Sequence, residues 1–204
     1  MKKKYLTVLL ALFVCVSMLS ASMLADSVQK GKVSLGASFG TSGSSEKTFN
    51  NEVSIAIPSG NFGFVARLRF DVMFSEKQSA TVMASFDRPS KTILVDDASN
   101  LNIDDLKNPM YVRLFCGVSE HSISSSNLLI AVGVGVEAYY DFSTKDIGGG
   151  PATYIRTSYQ IPGSHFTFDT TAKGNATWSH VFEKDAVKRF SLEGDVSLGF
   201  TYYF

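Results

Sequence analysis

The chain has 204 residues, 19 of them basic and 19 acidic, with 45% hydrophobic residues and two cysteines. That length suits one domain plus a short leader, and the balanced charge excludes a strongly basic nucleic-acid binder. Too few cysteines are present for a disulfide-stapled scaffold.

The first 25 residues read as an export signal. Lys2, Lys3 and Lys4 precede an apolar run from Tyr5 to Leu19 that only Thr7 and Ser17 interrupt. Small residues follow at Ser20, Ala21, Ser22 and Ala25, so cleavage is expected after Ser22 or Ala25, leaving a domain over 26–204. A membrane anchor would need about 20 apolar residues. Cys15 does not make a lipoprotein signal, because Phe13 and Val14 stand where small residues are required. Removing the leader leaves 16 basic against 19 acidic residues, a net charge of −3. It also leaves Cys116 as the only cysteine, which excludes an internal disulfide and a cysteine metal cluster.

Beyond the leader no apolar stretch is long enough for a membrane helix, and period-two alternation dominates. From Phe62 to Phe74, Phe62, Phe64, Ala66, Leu68, Phe70, Val72 and Phe74 form one face, with Arg67, Arg69 and Asp71 on the other. From Leu128 to Phe142, Leu128, Ile130, Val132, Val134, Val136, Ala138, Tyr140 and Phe142 oppose a face that carries Glu137 and Asp141. In the last segment Phe190, Leu192, Val196, Leu198, Phe200, Tyr202 and Phe204 oppose Ser191, Glu193, Asp195, Ser197 and Thr201.

These runs exceed the usual soluble strand of about 5–6 residues and suit a tilted membrane strand of about 9–11. Their polar faces mix opposite charges with small residues, as a filled polar lumen would. The expected fold is therefore all-β, an antiparallel up-and-down transmembrane barrel. Turn residues divide the chain into strands at 31–41, 47–58, 61–75, 78–87, 90–96, 109–119, 127–143, 150–161, 164–182 and 187–204. Parity favours about ten strands, with eight if two segments merge or one is only a loop. With both termini in the periplasm, the turns at Pro58-Ser59-Gly60-Asn61, Arg88-Pro89-Ser90 and Pro162-Gly163-Ser164 are expected on that side. Connections at 42–46, 76–77, 97–108, 144–149 and 183–186 are then expected outside. Asp97, Asp104 and Asp105 in the longest of these read as a solvated loop.

The chain ends Ser197-Leu198-Gly199-Phe200-Thr201-Tyr202-Tyr203-Phe204. Ser197, Gly199, Tyr202 and Phe204 resemble the C-terminal assembly signal of outer-membrane barrels: a polar residue, a glycine, then two aromatics spaced by two. The mature chain as a whole looks like the small bacterial outer-membrane barrels of the OmpA, OmpX and OmpW type. That resemblance implies residence in the bacterial outer membrane, with outer-membrane lipid and the barrel-assembly machinery as partners. An extracellular ligand stays unidentified. The motif also has a physical rationale, since amphipathic rings favour the membrane interface and glycine permits close backbone approach.

Catalysis has little support. A protease-like rim needs aspartates and a histidine converging outside, yet only His121, His165 and His180 are present. His121 and His165 are expected near periplasmic turns, and His180 on the lipid face. A lipase-like histidine–serine–acid set around His180 and Ser179 lacks supporting spacing. No cofactor or metal is expected, because the histidines are dispersed and no phosphate loop or dinucleotide fingerprint occurs.

Parity places Arg67, Arg69, Arg113, Arg156 and Lys173 in the lumen with Asp71, Glu137, Asp141, Asp169, Glu193 and Asp195. Buried charges need partners, so near-balance points to an internal salt-bridge network. The expected function is a non-enzymatic outer-membrane barrel with a structural or surface-interaction role. The alternative is a narrow channel for small solutes or ions whose selectivity these charges tune. A wide porin is excluded by the small ring.

Overall fold

A computed structural model describes residues 33–48, 55–58, 63–75, 77–95, 110–125, 127–179 and 189–204. The leader, His180 and the loop at 97–108 lie outside them. Ten strands are present: β1 (Val33–Thr48), β2 (Ile55–Pro58), β3 (Phe64–Met73), β4 (Gln78–Arg88) and β5 (Ser90–Val95), then β6 (Tyr111–Ser125), β7 (Leu128–Asp141), β8 (Ile147–Gln160), β9 (Phe166–Ser179) and β10 (Arg189–Tyr203).

Eight of these close a ring, in the order β1, β3, β4, β6, β7, β8, β9, β10 and back to β1. Every pair in the ring is antiparallel, and the closing seam runs from Ser34 opposite Tyr203 to Thr48 opposite Arg189. The count is thus the lower of the two expected from sequence. β2 and β5 stand outside the ring, and among the described residues no helix is long and apolar enough to cross a membrane.

Both ends of the described chain, Val33 and Phe204, lie at one end of the barrel, where Phe204 N donates to the Val33 carbonyl. The short β3–β4, β6–β7 and β8–β9 connections share that end, here called the turn end. The β1–β3, β4–β6, β7–β8 and β9–β10 connections share the opposite, loop end.

Two expectations are corrected at this level. Residues 42–46 are not a connection, because β1 runs unbroken through them against β10. Gly43-Ser44-Ser45 has turn composition, yet Ser42 and Ser44 are buried in the lumen, where small polar residues belong. Because 47–58 is then no ring strand, three connections change sides. The connection around 76–77 falls at the turn end, whereas Pro58 and Pro89 fall at the loop end. Pro162-Gly163-Ser164 stays with the termini, and Gly163 adopts a left-handed φ of 75° there.

The two arms of the β3–β4 hairpin exchange places at the loop end. Within the ring β1 pairs with β3 up to Gly40 opposite Val65; above that, Gly43 to Lys47 pair in parallel with Ser90 to Leu94 of β5. β2 then adds to the far side of β5, with Ile55 opposite Val95. Gly63 marks the crossing: a Cβ there would overlap the Ser42 carbonyl oxygen and crowd the Ser90 nitrogen. Pro89, which has no N–H to give a ladder, marks it on the other arm.

Period-two patterning decides which side faces outward. Phe39, Leu68, Val136, Leu198, Phe200 and Phe204 are each more than half exposed, whereas Arg67, Arg69, Asp71, Arg156 and Asp169 are buried. This inverts a soluble protein, in which an exposed apolar surface of such extent marks a contact with an apolar medium. Aromatic pairs bound the outer band. Phe168 packs on Phe200 towards the turn end, and Trp178 packs on Phe190 towards the loop end. The ten-residue rise from Phe168 to Trp178 spans about 33 Å of strand, or about 25 Å of membrane at the usual tilt of about 40°.

Gly63→Val is expected to destabilise the folded barrel by about 1–3 kcal/mol through overpacking at the crossing. Urea unfolding in lipid vesicles measures this, and an unchanged midpoint would contradict the crossing geometry.

Candidate functional site: the lumen charge network

Eight strands enclose a lumen just wide enough for side chains to fill. The eleven ionisable residues that parity assigns to the lumen all project into it, and ten of them fall into two clusters. Asp141 alone belongs to neither: it accepts from Ser143 N at 2.8 Å and Thr144 Oγ1 at 3.1 Å, shaping the β7–β8 connection.

The lower cluster, towards the turn end, centres on Asp71. Its carboxylate accepts from Arg69 Nε at 3.0 Å, Arg156 Nη1 at 3.0 Å, Thr81 Oγ1 at 2.8 Å and Ser34 Oγ at 3.1 Å. Asp169 takes Arg69 Nη2 at 3.1 Å, Thr167 Oγ1 at 2.8 Å, and the hydroxyl of Thr201. Two guanidiniums and two carboxylates thus balance one another.

A hydroxyl chain leads from Asp71 to His121. Thr81 contacts Ser119 at 3.2 Å, Ser119 contacts Ser79 at 2.7 Å, and His121 Nε2 lies 2.8 Å from Ser79. His121 is buried in the lumen at the turn end, as a member of this chain. His165 is exposed at the same end, with its ring near Tyr202.

The upper cluster, towards the loop end, centres on Arg113. Its Nε donates to Asp87 at 2.8 Å, its Nη1 to Glu137 at 3.1 Å, and its Nη2 pairs with Glu193. The guanidinium also lies over the Tyr111 ring at 4.2 Å, a cation–π contact. Glu137 takes Lys173 and Asn175 as well, the latter at 2.7 Å. Arg67 binds Asp195 at 2.7 Å and Ser197 Oγ at 3.3 Å. A small polar cup above this cluster is lined by residues that include Asp87, Lys173 and Glu193.

Between the clusters sits an apolar block of Met83, Phe115, Ala152 and Tyr154. Met83 falls between Thr81 and Asp87 on β4, and Phe115 between Arg113 and Ser119 on β6. The rings of Phe115 and Tyr154 meet edge to face at 5.8 Å. Tyr154 lies against Gly133, the position across the strand pair that has no side chain to displace it. Its hydroxyl reaches Thr81 at 3.1 Å and so ties the block to the lower cluster.

Sequence reasoning missed Asp87, the apolar block and the lumen role of His121. Alternation along 78–87 carried the first signal, because Ser79, Thr81, Met83, Ser85 and Asp87 share a face. Large apolar residues on a polar face, Met83 and Phe115, carried the second.

Near the end of the chain, Ser197 and Gly199 face the lumen, while Tyr202 and Phe204 face outward and meet edge to face at 4.8 Å. A Cβ on Gly199 would press on β1 at Ala37 and Ser38, so the glycine sits against the closing seam. Among the described residues, no three His, Cys, Asp or Glu side chains group to hold a metal ion.

No protein-family profile matches the chain, and no curated protein matches it in sequence. Solved structures do match in fold. The outer-membrane protein OprG from Pseudomonas aeruginosa aligns with a TM-score of 0.56 at 13% identity, over 86% of this chain and 97% of that one. Neisserial surface protein A aligns with a TM-score of 0.53 at 10% identity, over 85% and 97% of the two chains. The outer-membrane protein AlkL, solved in lipid bilayers, aligns with a TM-score of 0.51 at 16% identity, over 90% and 95%. The chain has the fold of the small bacterial outer-membrane β-barrels.

Arg113→Ala strips three buried carboxylates of their shared partner and is expected to cost about 3–5 kcal/mol. Arg113→Lys keeps the charge but not the fork, and should recover only part of that loss. Unfolding midpoints of both variants in vesicles check this ranking.

Proposed function

We propose that the protein is an integral outer-membrane β-barrel with a structural or surface-interaction role and no catalytic activity. On this reading the leader is removed on export, and the last strand is read by the barrel-assembly machinery through Ser197, Gly199, Tyr202 and Phe204. The turn end faces the periplasm and the loop end faces outward, following the rule that periplasmic turns are short. Lipid is the partner of the apolar band. Any further partner meets the loop end.

One observation carries the reading. Among the described residues, the lumen charges pair with one another above and below an apolar block that stands between the two clusters. Charges that tune a pore would instead border a continuous aqueous route. A similar fold in OprG and AlkL fits outer-membrane residence but says nothing of what this chain does there.

Planar-bilayer recording of the purified barrel tests this reading against the narrow channel. The wild type is expected to give no steady conductance. The triple variant Met83→Ala, Phe115→Ala, Tyr154→Ala is expected to open discrete events by emptying the block. Steady wild-type conductance that changes with Arg67→Ala would support the channel instead.

A further inference from the structure

Arg156 has no solvent exposure and spends only one of its three nitrogens on a hydrogen bond, with Nη1 donating to Asp71. Its Nε and Nη2 find no hydrogen-bond partner among the described residues. These two nitrogens form one edge of the guanidinium, the edge that receives a two-pronged acceptor. Ser158 stands two residues along β8 on the same lumen face, is equally buried, and its hydroxyl likewise has no partner. Three unmet polar atoms on one strand face stand out, because their neighbours Asp71, Asp169, Thr201, Thr167 and Thr81 are all engaged.

Leaving such donors unmet in a buried site costs as much as losing the hydrogen bonds outright. The choice of occupant follows from charge. Arg69 and Arg156 are already balanced by Asp71 and Asp169. An anion would leave a net negative charge inside a low-dielectric lumen, whereas a neutral acceptor adds none. We propose that the Nε–Nη2 edge of Arg156 and the hydroxyl of Ser158 form an internal binding site for water. Water there accepts from the guanidinium and exchanges a hydrogen bond with the serine, as buried waters do for polar groups that lack protein partners. This hydration goes beyond the structural role of the barrel and does not depend on any surface interaction.

The test uses the full mature barrel in lipid nanodiscs and reads magnetisation transfer from water to the Arg156 Nε–H by NMR. The expected result is a direct cross-peak with the sign of a long-lived bound water. Titration with bromide should leave the Nε–H shift unchanged. Ser158→Ala, which removes only the hydroxyl, should keep the barrel folded and move the Nε–H resonance. Absence of the water cross-peak, or a saturable bromide shift that marks an anion, overturns the proposal. So does a Ser158→Ala spectrum that is folded but has an unmoved Nε–H signal.

Discussion

Inside a bilayer no water can satisfy a backbone N–H or carbonyl, so every such group must be met within the protein. For a chain of alternating strands the one solution is a closed ring, and the β1–β10 seam supplies it. The rest of the structure depends on that closure. Once the ring is closed, one face of every strand must meet lipid and the other must meet its counterparts across a narrow lumen. Gly199 matters in this light because the seam brings β1 against it more closely than a side chain would permit.

The lumen then sets its own terms. Charges enclosed at this width need partners, and the protein supplies them in two hubs, Asp71 below and Arg113 above. Each hub joins strands far apart in sequence: Arg69 on β3 meets Asp169 on β9, and Arg113 on β6 meets Glu193 on β10. The hubs thereby act as internal cross-braces. Desolvation offsets much of the attraction within an enclosed ion pair, so the net gain over an apolar replacement is small, while the loss of one partner is costly. The apolar block between the hubs contributes burial without that desolvation, and its rings fit because glycine faces Tyr154.

Much of the fold was legible in the sequence because a period of two has only two outcomes. The run from Phe62 to Phe74 and the run from Leu128 to Phe142 assigned each side chain a face without any need for partners. Three features were not legible, each for a physical reason. Ser42 and Ser44 have the composition of a turn, and only pairing with β10 distinguishes a lumen strand from a loop. The exchange of β3 and β4 arms above Gly63 depends on contacts between segments distant in sequence, which local patterning does not carry. Finally, alternation names the residues that face the lumen but not their partners. That Asp87 belongs to Arg113, and Asp195 to Arg67, depends on the stagger of the ring.

The central claim is that one face of each strand is solvated by lipid while the other fills a polar lumen around an apolar block. Paramagnetic broadening by spin-labelled lipid tails tests it most directly, read at the side-chain methyl groups of the protein in nanodiscs. The methyls of Leu68, Val136, Ile155 and Leu198 should broaden strongly, while those of Met83, Leu129 and Ala131 should remain sharp. Equal broadening of the two sets, or broadening of the inner set alone, would contradict this account of the barrel.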